Sequence, residues 1–325
     1  MNKLFNEDIK ERFLTEQYSN DSITTARYVF YYSYLNEMAL NKDLFDLSLE
    51  EIGACISNSN PKSLSLAKSR GSIIKQYISW AIDINLRKSN INPLQEIDDE
   101  WYLQFVDEHI KQFISKQELD EIVNGLVNYQ DKIIPVLLFY GVYGTESSEI
   151  RNLKLTDIQD DGTTRLYDDK KGERYIKLDE DVIDLLRKAN YEPVYCSKNG
   201  VSASHRNAES ELLDSDFIVK TVKRGRGVEG KRTAQMVIIN RIDTIKEYFE
   251  LPDLTPKSIN RSGMLYLASQ LIGDKDNLTQ NDFDIISQQF NLSKASNNGY
   301  EYYNSSYLSS YINKENIKKL YGEIQ

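Results

Sequence analysis

The sequence predicts a mainly α-helical protein with a small β-sheet, an α+β fold divided between two domains. Its 325 residues correspond to about two domains of ordinary size. Apolar residues recur at helical spacing through most of residues 23–86. A strand-like pattern interrupted by a turn signal occurs in residues 165–177 and predicts a hairpin. The α+β class therefore combines a helical first part with a mixed second part.

Three helices are predicted in the first part. Residues 23–40 form one, and Ser48 followed by Glu51 gives the second a capping-box start. The third spans residues 63–86. Its apolar face, at 100° per residue, comprises Leu66, Ile73, Ile74, Tyr77, Trp80, Ala81 and Ile84.

The end of this helical region sets the domain boundary. Asn92 precedes Pro93, and a residue before proline is disfavoured in a helix. We therefore expect a helical domain over residues 1–95, a linker over 96–114 and a second domain over 115–325.

The second part mixes element types. Helices are predicted over residues 116–129 and 131–140, with Pro135 near a start or at a kink. A turn and a short helix follow in residues 140–158. The hairpin then turns near Lys170-Lys171-Gly172 and leads into a helix, and the remainder is mainly helical.

The net charge of −10 argues against a polyanionic partner, but its distribution does not. Residues 60–90 carry six cations and one acid, residues 95–121 carry nine acids and two cations, and residues 217–241 carry seven cations and one acid. Two basic segments of net +5 and +6 thus flank an acidic segment of net −7. Two separate positive surfaces are compatible with a clamp around nucleic acid.

Other features favour a cytoplasmic protein without metal or cofactor. Cys55 and Cys196 lack metal-ligand spacing, so neither zinc nor a disulfide framework is expected. The charged N-terminal residues lack the apolar stretch of a signal peptide, and no 18-residue apolar run predicts a membrane span. His109 and His205 have no catalytic neighbours in sequence and are expected to be surface or connector residues.

Four segments, in order, resemble the tyrosine recombinase (phage integrase) family, in which a helical core-binding domain precedes a mixed catalytic domain and both clamp duplex DNA. Residues 63–93 resemble the last core-binding helix, and 144–158 resemble the Gly-Leu-Arg-x-x-Glu-Leu-x-x-Leu segment. Residues 168–178 resemble the hairpin that carries the catalytic lysine. Residues 254–271 resemble the second box, usually Thr-Pro-His-x-Leu-Arg-His. The resemblance covers roughly residues 20–310 and implies a two-domain tyrosine-recombinase-like fold.

The catalytic positions that this resemblance implies are degenerate. Glu146 occupies the first-arginine position, and Lys257, Asn260 and Arg261 replace the His, Arg and His of the second box. The third-box position falls near Leu292 or Ser293. Arg151 is expected to lie well off the face of Glu146, because five helical positions rotate by about 500°. Only the hairpin lysine has a counterpart, Lys171 or, with a slip, Lys170.

The nucleophile position is uncertain because 22 residues of the chain are tyrosines. Tyr300, Tyr302, Tyr303, Tyr307 and Tyr311 lie near it, and Tyr302 or Tyr303 matches best. We interpret these tyrosines mainly as packing residues, so no catalytic residue is assigned.

Surviving cations and hydroxyls are expected to contact DNA. On the third helix, Ser65, Lys68, Ser72 and Lys75 share one face, which is either a phosphate-facing surface or a plain solvated one. Arg70 occupies the family's arginine position although it projects toward the apolar side. The remaining candidates are Lys170, Lys171, Arg174, Lys220, Lys223, Arg224, Arg226, Lys231, Arg232, Lys257 and Arg261.

Three functions compete. The leading hypothesis is a phage lysogeny repressor that binds double-stranded operator DNA in the bacterial host, associated with the nucleoid, on an inactive recombinase scaffold. The second is a divergent active recombinase, and the third is an accessory protein that uses the fold for protein contacts. Self-association and a regulatory phage protein stay open as further partners. The C-terminal helix is expected either to dock on a neighbouring protomer or to cap its own domain.

Overall fold

A computed structural model describes residues 3–106, 113–200, 208–223, 230–273, 275–297 and 299–322. Internal packing separates the chain into two compact units, Met1–Ile110 and Lys111–Gln325. Across the described ranges, no helix combines the length and apolar character that a membrane span requires.

The first unit is entirely helical across its described residues. Its helices are α1 (Glu7–Gln17), α2 (Asn20–Leu40), α3 (Leu49–Asn58), α4 (Leu64–Asp83) and α5 (Asp99–Leu103). The predicted capping box is confirmed, because Ser48 Oγ accepts from the Glu51 amide and the Glu51 carboxylate accepts from the Ser48 amide.

The core of the first unit is aromatic. Phe13 lies at the centre, with edge-to-face contacts to Phe30, Tyr77 and Trp80 at centroid distances of 4.9–5.9 Å. Such contacts stabilise a core beyond simple area burial. Beside them Lys10 is fully buried, with its ammonium 2.7 Å from Glu37 Oε1 and 3.3 Å from Asp43 Oδ2.

Helix α4 follows the predicted apolar face with two corrections. Ile73, Ile74 and Tyr77 are buried as predicted, but Leu66 is 37% exposed because its turn lies at the free N-terminal end. The helix ends at Asp83 rather than residue 86. Ala67, Gly71 and Ile78 are additional buried positions.

A short helix covers α4 at Gly71. A Cβ there would lie 2.3 Å from the Tyr102 ring, so glycine lets α5 approach the helix closely. Tyr102 is only 7% exposed, and it belongs to the segment predicted as linker. The boundaries at residues 95 and 115 stay predictions.

The second unit is mixed. Its helices are α6 (Lys116–Gly125), α7 (Tyr129–Phe139), α8 (Ser148–Asn152), α9 (Glu180–Tyr191), α10 (Gln235–Tyr248), α11 (Pro256–Ile272), α12 (Gln280–Gln289), α13 (Ser305–Ser309) and α14 (Lys314–Tyr321). Its strands form three antiparallel pairs: β1 (Thr163–Asp168) with β2 (Gly172–Lys177), β3 (Val194–Cys196) with β4 (Glu209–Glu211), and β5 (Ala295–Asn297) with β6 (Tyr300–Tyr302). The β1–β2 hairpin confirms the predicted turn, whereas the two short pairs were not predicted.

Helices α7 and α11 cross at very short distance in the core of this unit. A Cβ on Gly263 would lie 1.7 Å from the carbonyl oxygen of Phe139. One turn earlier, Asn260 Nδ2 donates to the Leu138 carbonyl at 3.0 Å. Pro135 lies inside α7, in keeping with a predicted helix that includes it.

The C-terminal helix caps its own unit. Ile317 of α14 is fully buried, and the Tyr321 ring packs 5.9 Å from that of Tyr266 on α11. Of the two alternatives for this helix, the structure therefore contains the intramolecular one.

Candidate nucleic-acid interface

The N-terminal half of α4 presents the predicted hydroxyl and lysine face to solvent. Ser65, Lys68 and Ser72 are exposed. Lys68 Nζ lies 2.6 Å from Asp99 Oδ1, and both side chains are about half exposed, so the pair is weak and easily exchanged. Lys75 is half-buried because its ammonium donates to the Gln95 carbonyl at 3.0 Å. The accessible part of the face is thus the first two turns of the helix.

Arg70 is held by protein contacts. Its Nη1 donates to the carbonyl and hydroxyl of Ser59, and its guanidinium lies 5.0 Å from the ring centroid of Tyr32. Burial lowers the pKa of Arg70 from its ordinary value. The side chain therefore ties α4 to the α3–α4 connection, and its predicted contact with DNA stays a prediction.

Asp168 builds the hairpin turn that carries the predicted lysine. Its carboxylate accepts from the amides of Thr145 at 2.7 Å, Lys170 at 2.7 Å and Lys171 at 3.1 Å. Burial alone would raise the pKa of Asp168, but these amide hydrogen bonds together lower it. The turn is fixed by a buried anion, while the side chains of Lys170 and Lys171 are exposed. Lys171 Nζ donates to the carbonyl of Asn291.

Arg174 is mostly buried in the second unit, and its predicted contact with DNA stays a prediction. It is paired with the fully buried Glu149 through Nε–Oε1 at 2.6 Å and Nη2–Oε2 at 2.8 Å. Its guanidinium also donates to the carbonyls of Gly141 at 2.7 Å and Gln289 at 2.9 Å. Four hydrogen bonds to protein acceptors make this arginine a brace for the hairpin.

The first-arginine position differs from expectation in one important respect. Glu146 is exposed to solvent. Both Glu146 and Ser147 have positive φ, at 54° and 59°. The chain is therefore not helical between residues 146 and 148, and the helical rotation expected to separate Arg151 from Glu146 does not apply. Arg151 Nη1 donates to the Glu146 carbonyl at 3.0 Å, and Nε donates to Thr233 O at 3.1 Å.

A compact polar cluster surrounds this arginine. Arg232 Nη1 donates to Asp169 Oδ1 at 2.8 Å and to Asn152 Oδ1 at 2.7 Å. Asn152 Nδ2 donates to the same Asp169 oxygen at 3.0 Å. Sequence patterns did not single out Asn152 or Asp169 and set Arg151 aside, because the association of these residues depends on the left-handed turn and the hairpin meeting in space.

The basic segment 217–241 is less uniform than its net charge suggests. Lys220 is half-buried and donates to the Asn190 carbonyl, Lys223 lies 3.3 Å from Glu211, and Lys231 is exposed. Arg241 is buried, 3.5 Å from Asp131, and contributes nothing to a surface patch. The predicted contacts Arg224 and Arg226, with Gly225 and Gly227, lie outside the described residues.

The second-box substitutions separate into surface and interior positions. Lys257 is exposed in the first turn of α11, whereas Asn260 is buried against α7 and donates to Leu138 O. Arg261 Nη2 donates to the Tyr307 hydroxyl at 2.6 Å, and its guanidinium lies 4.6 Å from the Tyr311 ring centroid.

The tyrosines near the nucleophile position differ in their surroundings. Tyr302 ends β6 and is 45% exposed, and the Lys294 ammonium lies 5.7 Å from the Tyr303 ring centroid. Tyr307 is 52% exposed, and its hydroxyl accepts from Arg261 Nη2. Tyr311 is buried, which raises its pKa to about 12.

The histidines and Cys196 add no catalytic or metal-binding cluster among the described residues. His109 and His205 lie outside the described residues. Cys196 is half-buried, and burial raises the pKa of its thiol. Within the described ranges, no group of three or more His, Cys, Asp or Glu side chains is arranged to hold a metal ion.

Two family models together match most of the chain. The model described as MrpR, C-terminal catalytic domain, matches residues 113–322, and the one described as MrpR, N-terminal core-binding domain, matches residues 4–83. The chain belongs to the MrpR family. A relative is the SPbeta prophage-derived uncharacterized protein YopR of Bacillus subtilis (strain 168), which is 32% identical over 325 residues, 98% of this chain and 97% of the relative.

Solved structures give more distant likenesses to this MrpR-family chain. XerA recombinase is 15% identical with a TM-score of 0.42, covering 97% of both chains. The Tn1549 transposon integrase in complex with circular intermediate DNA is 11% identical with a TM-score of 0.48, covering 91% and 93%. A lambda integrase dimer bound to a COC' core site is 10% identical with a TM-score of 0.47, covering 88% and 89%.

The MrpR models confirm the fold class predicted from the sequence. They place a core-binding domain before a catalytic domain, the order of a two-domain tyrosine-recombinase-like fold. The observed elements agree, because helices dominate and the strands form small antiparallel pairs.

Proposed function

We propose that this MrpR-family protein binds specific double-stranded DNA sites and acts as a phage lysogeny repressor on an inactive tyrosine-recombinase scaffold. The observation that carries the proposal is the chemistry at the two arginine positions. The first holds Glu146, an exposed acid, and the second holds Asn260, whose amide is buried and donates to Leu138 O. A site that binds a phosphate without cleaving it needs positive charge, but it does not need arginines at these two positions.

The energetic argument follows from the charge of the transition state. Strand cleavage by tyrosine passes through a phosphorane with additional negative charge, and removal of one stabilising donor typically costs about 3–4 kcal/mol. A carboxylate at about 4 Å adds about 4 kcal/mol of repulsion at an effective dielectric constant of 20. Glu146 therefore opposes cleavage, while exposed Lys170, Lys171 and Lys257 still favour a bound phosphate.

The biological role is supported by the relatives. The sequence resembles the master lysogeny repressor of SPβ-type temperate phages, and its relative YopR is prophage-derived. Operators in a phage genome, bound inside the bacterial host, are the proposed partners. Phosphate contacts from both units would supply affinity, and base contacts from the exposed α4 face would supply specificity.

Recovery of cross-linked DNA from the lysogenic host tests this function. We expect a small set of sites in the prophage, and each site placed upstream of a reporter should reduce expression when the protein is present. Lys171→Ala should lose occupancy at all sites, whereas Lys246→Ala, a cation paired with Asp243 on α10, should not. Absence of any enriched site would reject the proposal, and sites without an effect on the reporter would favour the accessory hypothesis.

A divergent recombinase is the second candidate, and one observation favours it. Arg261 Nη2 donates to the exposed Tyr307 hydroxyl at 2.6 Å, which places a cation beside a tyrosine near the nucleophile position. Incubation with a nicked suicide substrate carrying a recovered site tests this directly. A covalent protein–DNA adduct that Tyr307→Phe removes, but Tyr302→Phe and Tyr303→Phe retain, would establish cleavage and reject the inactive scaffold. We expect no adduct.

A further inference from the structure

An arginine that makes no direct ion pair among the described residues lies next to the hairpin turn. Arg151 is 8% exposed, and its guanidinium donates only to two backbone carbonyls, Glu146 O and Thr233 O. Among the described residues, Nη2 has no acceptor and no carboxylate lies within ion-pair distance of this guanidinium. This donor therefore stays free to bind an anion.

A second arginine near Arg151, Arg232, is already paired with a carboxylate. Thr233, which receives the Nε hydrogen bond of Arg151, directly follows Arg232 in the chain. Arg232 and Asn152 both donate to Asp169 Oδ1, at 2.8 Å and 3.0 Å. These donors form a small anion site between the left-handed turn and the hairpin, and its present occupant is the side chain of the protein itself.

The occupant is firmly ionised. Hydrogen bonds from Arg232 and Asn152, aided by the positive charge of Arg151, lower the pKa of Asp169 to about 2. Its backbone amide donates to Ser148 Oγ at 3.2 Å, so the main chain is fixed while the carboxylate moves by rotation about its own side-chain bonds. About one third of the side chain is exposed, which leaves room for that rotation.

We propose that this site binds a phosphodiester group of the DNA backbone, and that Asp169 occupies it in the free protein as an internal substitute for the phosphate. The proposal rests on the DNA-binding function proposed above. Guanidinium groups match phosphate oxygens with paired N–H donors, and the amide of Asn152 adds another donor. Binding releases Asp169 from Arg232, and Lys170 and Lys171, the next two residues, lie beside the incoming strand.

The test compares two isosteric variants that each remove one negative charge from the same hairpin. Asp169→Asn frees Arg232 from its internal anion, whereas Asp161→Asn changes an exposed acid beyond the other end of β1 whose carboxylate accepts from the amide and hydroxyl of Thr163. We expect Asp169→Asn to bind its operator about tenfold more tightly, the size of one charge-assisted hydrogen bond. Its salt slope should stay close to that of the wild type, because Arg232 contacts the same phosphate in both complexes.

A double variant isolates the arginine. In Asp169→Asn combined with Arg232→Gln, the gain in affinity should disappear, because the freed donor is missing. If Asp169→Asn gains no more affinity than Asp161→Asn, the inference is overturned while operator binding by the wild type leaves the proposed function intact.

A second measurement does not depend on DNA. Titration with inorganic phosphate should raise the melting temperature of Asp169→Asn at concentrations that leave the wild type and Asp161→Asn unchanged. If phosphate distinguishes none of the three proteins, the anion site is rejected. If phosphate stabilises Asp169→Asn but no protein form binds a specific DNA site, the anion site stands and the repressor function fails.

Discussion

At the scale of single residues, the pair Glu149–Arg174 explains how the hairpin is held. Glu149 is fully buried and accepts from Arg174 twice, from the Tyr143 amide at 2.9 Å and from Asn291 Nδ2 at 3.0 Å. A buried carboxylate with four donors is stable only while all are present. The candidate surface on the turn therefore depends on a largely buried ion pair.

Arg174→Met should destabilise the protein strongly, because it leaves the Glu149 carboxylate buried without its cation. We expect the free energy of unfolding to fall by about 3 kcal/mol or more. Arg187→Met is the matched control: Arg187 pairs with Asp184 on the surface of α9, both more than half exposed, and its removal should cost about 0.5 kcal/mol or less. Urea unfolding of both variants measures the difference, and equal losses would contradict the assigned role.

At the scale of elements, the close crossing of α7 and α11 at Gly263 determines how the core of the second unit packs. Alanine normally stabilises a helix interior by about 1 kcal/mol relative to glycine. Here a Cβ would lie 1.7 Å from Phe139 O, so the substitution should destabilise the protein instead. We expect Gly263→Ala to lower the free energy of unfolding by about 2 kcal/mol or more. Gln270→Ala, exposed on the same helix, should leave the melting temperature nearly unchanged. A stable Gly263→Ala protein would show that the two helices separate at little cost.

Elements whose signals are local were predictable from the sequence. Ser48 with Glu51 marked the start of α3, and Lys170-Lys171-Gly172 marked the β1–β2 turn, because capping and turn geometry depend on residues close in the chain. Strand pairs of three residues were missed, since so short a segment carries no period of its own. The helical rotation used to place Arg151 relative to Glu146 does not apply, because no propensity predicts left-handed Glu146 and Ser147.

At the scale of the whole molecule, the local distribution of charged side chains matters more for binding than the net charge of the chain. The chain carries −10 overall, yet the exposed α4 face and the hairpin turn both present lysines. Part of the positive count in the sequence is not surface charge at all, because Arg241 is buried beside Asp131 and Arg174 beside Glu149. The candidate surface of the second unit is therefore smaller than its charge segment predicts.

Binding through both units predicts additive salt effects. Lys68→Ala in the first unit and Lys171→Ala in the second should each weaken operator binding and lower the salt slope by about 0.9, the contribution of one phosphate contact. The two lysines share no partner, since Lys68 pairs with Asp99 and Lys171 with Asn291 O, so the double variant should lose about twice as much. Titrations at several salt concentrations measure each slope, with Lys246→Ala as the control. A slope that changes only with Lys171→Ala would confine the phosphate contacts to the second unit and remove the clamp from the mechanism.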